Sequence, residues 1–386
     1  MAQYRLALLP WRGDRVVDGT GLENQRGATH RGFESLPLRQ KEYGTFSKNH
    51  EQKYAVVMMI YTICMYLDPI INRETNFYYW VQAVCGWDTY YAEQKTYQYY
   101  RDKTQNLTLN QKNALQSIYK ILKDAEHPRQ ILAELYTGEI LSKEARHIKN
   151  ASLSLQAPFS SVWRDELEFL TNRRNDLQEL DTSNLREPLA NISQFLGSSF
   201  NTRTDVTVYL LLNPPFGGSM GHVIRQHDFI LLHPAGTESK NTQSTTLSTL
   251  IHEYVHLLEF NSGLTEKLFK ESYDKYIKPL NVNPPAGYSW KSVYSETIAN
   301  CFANNITGGY FRPKTFHKPR PTIAEMEDGF NRLIGKNNYT TSHLLSWVAL
   351  NILPDVEEYL KDHKVIDAQS VAKMSELFLE FIVDKK

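Results

Sequence analysis

Thr249-Leu250-Ile251-His252-Glu253-Tyr254-Val255-His256-Leu257-Leu258 sets two histidines and one glutamate at fixed helical offsets within an otherwise apolar run. Residues four apart on an α-helix stand one turn above each other. His252 and His256 can therefore offer two imidazole nitrogens to one metal ion while Glu253 lies beside them. Zn2+ is the ion this donor set implies. Leu250, Tyr254, Val255, Leu257 and Leu258 are uncharged neighbours through which such a helix can pack, and Glu253 is the only formal charge in the run. The plain alternative is an amphipathic helix with two histidines on its polar face.

A catalytic zinc takes three protein ligands and leaves its fourth position to water. The residues after His256, Leu257-Leu258-Glu259-Phe260-Asn261-Ser262, hold neither the glycine nor the third histidine of a metzincin continuation. Glu259, one turn beyond His256, could swing toward the metal or stand as a solvated acid near the helix end. The better candidate is Glu296, 40 residues after His256, within the helical segment Ser292-Val293-Tyr294-Ser295-Glu296-Thr297-Ile298-Ala299-Asn300-Cys301-Phe302.

These two segments together resemble the gluzincin peptidases, the thermolysin-like clan, in which H-E-x-x-H is followed by a helix whose glutamate is the third ligand. The resemblance covers roughly residues 205–310. The clan's usual E-x-x-x-D stands here as Glu296-Thr297-Ile298-Ala299-Asn300, with Asn300 in place of the aspartate. The resemblance implies that Asn300 accepts a hydrogen bond from a ligand histidine, more weakly than a carboxylate would. It implies that Tyr288 donates to a developing oxyanion, with Tyr294 turned to another face. It implies that an edge strand containing Gly218, Ser219, Gly221 and Val223 pairs with an extended peptide or protein substrate. A simple glycine loop is the alternative there. The activity implied is zinc-dependent hydrolysis of a peptide bond, with Glu253 as general base and no covalent intermediate. The competing expectation is a zincin-fold binding or regulatory protein whose zinc only braces the fold, and a non-peptide amide substrate stays open.

Outward from this centre, the expected fold class is α+β, mostly helical: a zincin-like domain with a small sheet, flanked by helical regions. Residues 206–212 are β-branched and apolar and read as a buried strand, 217–224 as a short edge strand and 229–233 as a third. Ser244 or Thr245 is the expected N-cap of the histidine helix, and Asn261-Ser262-Gly263 its end. Residues 264–280 form a Lys-rich helix. Residues 41–200 read as a helical domain, 201–310 as the metallopeptidase core and 311–386 as a helical region with segments at 323–334, 342–352, 356–360 and 368–382. His222, His227, His233, His317 and His343 are not taken as ligands.

Residues 1–40 are rich in Arg and Gly and carry no apolar period, so they read as a disordered or misassigned extension. Residues 31–40 can be back-translated into the T-arm and 3′ end of a bacterial serine tRNA gene, and translation is then expected to start near residues 56–59. The apolar run at 54–67 is shorter than the roughly 20 residues a membrane span needs.

The 386 residues hold 43 basic and 43 acidic side chains, a balance that provides no electrostatic case for nucleic acid or an anionic membrane. Three cysteines, Cys64, Cys85 and Cys301, form no paired ligand spacing and read as buried thiols of a reducing compartment. A cytoplasmic location is the expectation, with secretion left open.

Overall fold

In the computed structural model, the described residues are 69–87, 93–104, 106–138, 141–179, 186–198, 206–223, 229–238, 242–285, 288–303, 309–311, 319, 321–334 and 341–384. The expectations for residues 1–40, for the apolar run at 54–67 and for His227 and His317 lie outside them. Helices α1 (Arg73–Cys85), α2 (Glu93–Lys103), α3 (Leu109–Asp124), α4 (Pro128–Thr137), α5 (Lys143–Ser152), α6 (Gln156–Gln178) and α7 (Arg186–Phe195) precede the main strands. Their ends carry local signals. Asn72 caps α1 by accepting from the amides of Glu74 and Thr75, and Gly86 ends it in the left-handed region at φ 78°. Thr108 and Gln111 close a capping box on α3, and Pro128 opens α4 where its missing N–H costs nothing.

The sheet comprises β1 (Pro69–Ile70), β2 (Thr207–Leu210), β3 (Met220–Val223) and β4 (Phe229–His233) in the order β1-β2-β4-β3. β1, β2 and β4 run parallel, and β3 lies antiparallel on the outer edge of β4, with Gly221 opposite Leu232. β4 is buried along its whole length and β3 is half-buried throughout, as their apolar and glycine-containing sequences require. Asn76 of α1 ties the helix to the end of β2. Its amide donates to the Leu210 carbonyl at 2.9 Å, and its carbonyl oxygen accepts from the Leu212 amide at 2.8 Å. Asn76→Ala strips two buried main-chain groups of this partner and is expected to destabilise the fold by about 2–4 kcal/mol. The expected observation is a lower urea midpoint at unchanged m-value.

Helix α8 (Thr242–Phe260) lies against β3 and β4, and α10 (Trp290–Phe302) lies against α8. Between them run α9 (Gly263–Ser272), a π-helical turn at Tyr273–Ile277 and a 3-10 turn at Lys278–Leu280. Helices α11 (Ile323–Ile334), α12 (Thr341–Lys361) and α13 (Ala368–Asp384) follow, α12 packing on both α10 and α13.

Three expectations change. α8 begins at Thr242, so Ser244 and Thr245 lie inside its first turn. A run of hydroxyl residues offers several equivalent caps, and the apolar pattern that marks the helix begins only at Leu247. The helix expected at 264–280 starts at Gly263, capped by Ser262, and is α-helical only to Ser272 before the π-helical and 3-10 turns, while α8 ends at Phe260, just ahead of Asn261-Ser262-Gly263 as expected. The segments expected at 342–352 and 356–360 are one helix running through Pro354. The proline forfeits one ladder bond, but Ile352, Leu353 and Val356 are buried on either side of it and outweigh that loss.

The buried core is continuous from Phe77 to Phe378. Residues 69–70 contribute a strand to the same sheet that faces α8, so the regions read as N-terminal and central share one sheet and one core. Among the described residues, no helix is long and apolar enough to cross a membrane.

Candidate metal centre

The helical offset of four brings His252 and His256 onto one face of α8, and the packing of α10 brings Glu296 up to both. His252 Nε2 and His256 Nε2 are 3.2 Å apart. Glu296 turns one oxygen to each, Oε2 at 3.2 Å from His252 Nε2 and Oε1 at 3.6 Å from His256 Nε2. Among the described residues, these three form the group that could hold a metal ion, with their ligand atoms all within 4.8 Å of one another.

Hydrogen-bond chemistry assigns the tautomers. His252 Nδ1 lies 2.9 Å from the carbonyl oxygen of Ala303. A carbonyl can only accept, so His252 donates from Nδ1 and its Nε2 presents a lone pair. Ser295 donates its single hydroxyl proton to Glu259 Oε2 at 2.6 Å, and His256 Nδ1 lies 3.1 Å from the same hydroxyl oxygen. That oxygen must accept, so His256 also donates from Nδ1 and presents a lone pair at Nε2. With both rings neutral, two nitrogen lone pairs and a carboxylate therefore converge with no hydrogen of their own between them. Such a cluster could hold a cation. A proton lies on one line between two acceptors, whereas a metal ion satisfies all three. Ligands at about 2.05 Å on a tetrahedral ion stand about 3.3 Å apart, which matches these separations.

The charge environment is consistent with that geometry. Burial pushes the Glu296 carboxyl up, but its bonds to His252 and His256 outweigh burial and hold it well below the usual carboxylate range. Burial disfavours a charged His256, yet its bonds to Glu259 and Glu296 outweigh that and hold its pKa well above the ordinary imidazole value. Glu253 is buried, and burial raises its carboxyl against the opposing influence of His256 and His252.

Glu253 sits under the edge strand. A Cβ on Gly221 would fall 2.2 Å from Glu253 Cγ and 2.9 Å from its Oε1, so the Glu253 side chain occupies the space a side chain at 221 would fill. The other residues expected along this strand are placed differently. Gly218 is exposed with open space above its Cα, and Val223 packs partly against the core. Ser219 is buried and donates its hydroxyl to the His233 carbonyl at 3.0 Å.

Asn300 does not take the expected role. The bond from His252 ends on Ala303 O, while the Asn300 amide donates to the Glu296 carbonyl one turn back at 2.7 Å. Ala303 follows the last turn of α10 with extended backbone, φ −148° and ψ 124°, which turns its carbonyl out of the helical ladder toward His252. Tyr288 lies in the loop ahead of α10, partly buried against the core, with its amide donating to Pro285 O at 3.1 Å. Tyr294 points away from the centre, as expected, and bonds Ser375 Oγ at 2.6 Å.

Sequence reasoning missed Glu259, Ser295 and Ala303 as partners of His252 and His256. The i, i+3 spacing of His256 and Glu259 is a visible signal for the first. Ser295 could have been suspected only as the neighbour of Glu296, and a main-chain carbonyl leaves no trace in a sequence. His233 is buried with Nδ1 at 2.9 Å from Leu212 O, and burial, aided by His222, lowers it to about 3. It belongs to the sheet face that packs on Tyr79 of α1, not to the centre. No protein-family model, curated protein or solved structure matches this chain.

Proposed function

We propose that the chain is a zinc-dependent hydrolase of peptide bonds, with the ion held by His252, His256 and Glu296. The observation that carries this reading is the convergence of three lone-pair donors at 3.2, 3.2 and 3.6 Å with both histidine protons directed outward. Imidazole donors disfavour calcium and magnesium, which take oxygen ligands, and three protein ligands on two helices leave a fourth position for chemistry. A bound zinc ion supplies Lewis acidity, lowering the pKa of a water molecule toward about 7 and polarising a carbonyl.

The chain's own residues supply the rest. Glu253 accepts the proton lost by the attacking water at its carboxylate and returns it to the leaving amine nitrogen. Its burial beside the edge strand raises its basicity and fixes its direction. The outer edge of β3 offers main-chain groups to an extended chain, which suits a peptide better than a compact small molecule. The balanced charge of the protein requires no strongly acidic or basic partner.

The test is metal content by plasma mass spectrometry on untagged protein, wild type beside His256→Ala. About one zinc per chain, lost in the variant, is the expected result. A wild type that takes up no zinc overturns the reading. Zinc retention without cleavage of any member of a peptide library would instead favour an ion that only braces α8 to α10.

A further inference from the structure

The two imidazoles of the centre are backed unequally. His252 donates to a neutral main-chain carbonyl, Ala303 O at 2.9 Å. His256 donates to the Ser295 hydroxyl at 3.1 Å, which in turn donates to the Glu259 carboxylate at 2.6 Å. Glu259 Oε2 is itself 3.6 Å from His256 Nδ1. Glu259 and Ser295 are both buried, at 4% and 7% exposure. Among the described residues, His256 is the basic side chain that faces Glu259.

A carboxylate kept in the interior needs a positive charge to answer it. Here the position a cation would take lies on the far side of one imidazole ring. Negative charge near Nδ1–H strengthens the electron pair at Nε2, so a carboxylate behind His256 and a cation in front of it support each other. The link also spans the two helices that carry the ligands, since Glu259 is on α8 and Ser295 on α10, beside Glu296. We propose that Glu259 and Ser295 are a positioning pair that makes His256 the stronger of the two imidazole ligands and sets the affinity of the centre for its ion. This rests on the metal reading above. It moves the tuning role from Asn300, whose amide is bonded to the Glu296 carbonyl, to a buried serine and glutamate.

The test uses the full untagged chain, stripped with a chelator and titrated with Zn2+ against a chromophoric competitor, together with visible spectra of the Co2+-loaded protein and melting of the stripped form. Glu259→Gln keeps the shape and an acceptor for Ser295 but removes the charge, and is expected to weaken zinc about tenfold. Ser295→Ala breaks the relay and is expected to weaken it by about 10–100-fold. Both should shift the Co2+ ligand-field bands. Tyr294→Phe is the structural control, because its hydroxyl bonds Ser375 on the opposite face of α10. It should lower the melting temperature and leave zinc affinity at the wild-type value. If Ser295→Ala does not fold, the isosteric Glu259→Gln decides alone. Zinc affinity of Glu259→Gln within about twofold of wild type, with unchanged Co2+ bands, overturns the proposal. A wild type that binds neither ion overturns the metal centre itself, a result distinct from a variant that binds as wild type does.

Discussion

Glu253→Gln is expected to lower peptide hydrolysis by about a thousandfold while leaving one zinc per chain in place. The two side chains have the same shape, so the contact of residue 253 with Gly221 is preserved and the helix keeps its packing on β3. What disappears is the ability to take a proton. His252, His256 and Glu296 do not depend on that carboxylate for their mutual distances, so metal content should be unchanged. Cleavage of a peptide library read by mass spectrometry, beside plasma mass spectrometry of the same preparation, separates the two effects. A Gln variant retaining more than about a tenth of wild-type turnover would remove Glu253 from the role of base.

Gly221→Ala should produce a smaller but still large loss by a different route. The added methyl would stand 2.2 Å from Glu253 Cγ, 2.7 Å from Cδ and 2.9 Å from Oε1, closer than real carbon contacts permit. Either Glu253 swings off the strand or β3 lifts from α8. Each separates the base from the edge on which a substrate would lie by roughly 1 Å, which costs on the order of a hundredfold in rate. The overpacking is expected to cost about 1–3 kcal/mol of stability as well. Zinc should remain bound, because no ligand touches residue 221. Gly218→Ala, three residues earlier with nothing within 4 Å of its Cβ, should be nearly neutral in both rate and melting. Equal behaviour of the two variants would refute the view that Gly221 makes room for the base.

The division between what was legible and what was not follows the range of the forces involved. Helical periodicity and residue chemistry are local, and they are enough to place His252, Glu253 and His256 on one helix and Glu296 on another. They also place strands at 206–212, 217–224 and 229–233, of which the structure keeps 207–210, 220–223 and 229–233. The glycines at 217, 218 and 221 suit β3 to an edge, because glycine weakens a strand interior.

Other features required elements far apart in the chain to meet. β1 is a two-residue strand, too short to carry a pattern, and it exists only because β2, more than 130 residues later, pairs with it. α12 continues through Pro354 because α10 and α13 bury its flanks, a tertiary gain that outweighs a local penalty. The role expected of Asn300 passed to the Ala303 carbonyl because the last turn of α10 ends in extended backbone facing His252, and every residue has a carbonyl. Glu259 looked like a solvated acid at a helix end until α10 covered it and supplied Ser295. By itself the sequence determined which side chains could meet a cation and on which helices they stand. The tertiary structure decided which groups orient them, and why position 221 has no side chain, because those depend on backbone atoms and on contacts between distant segments.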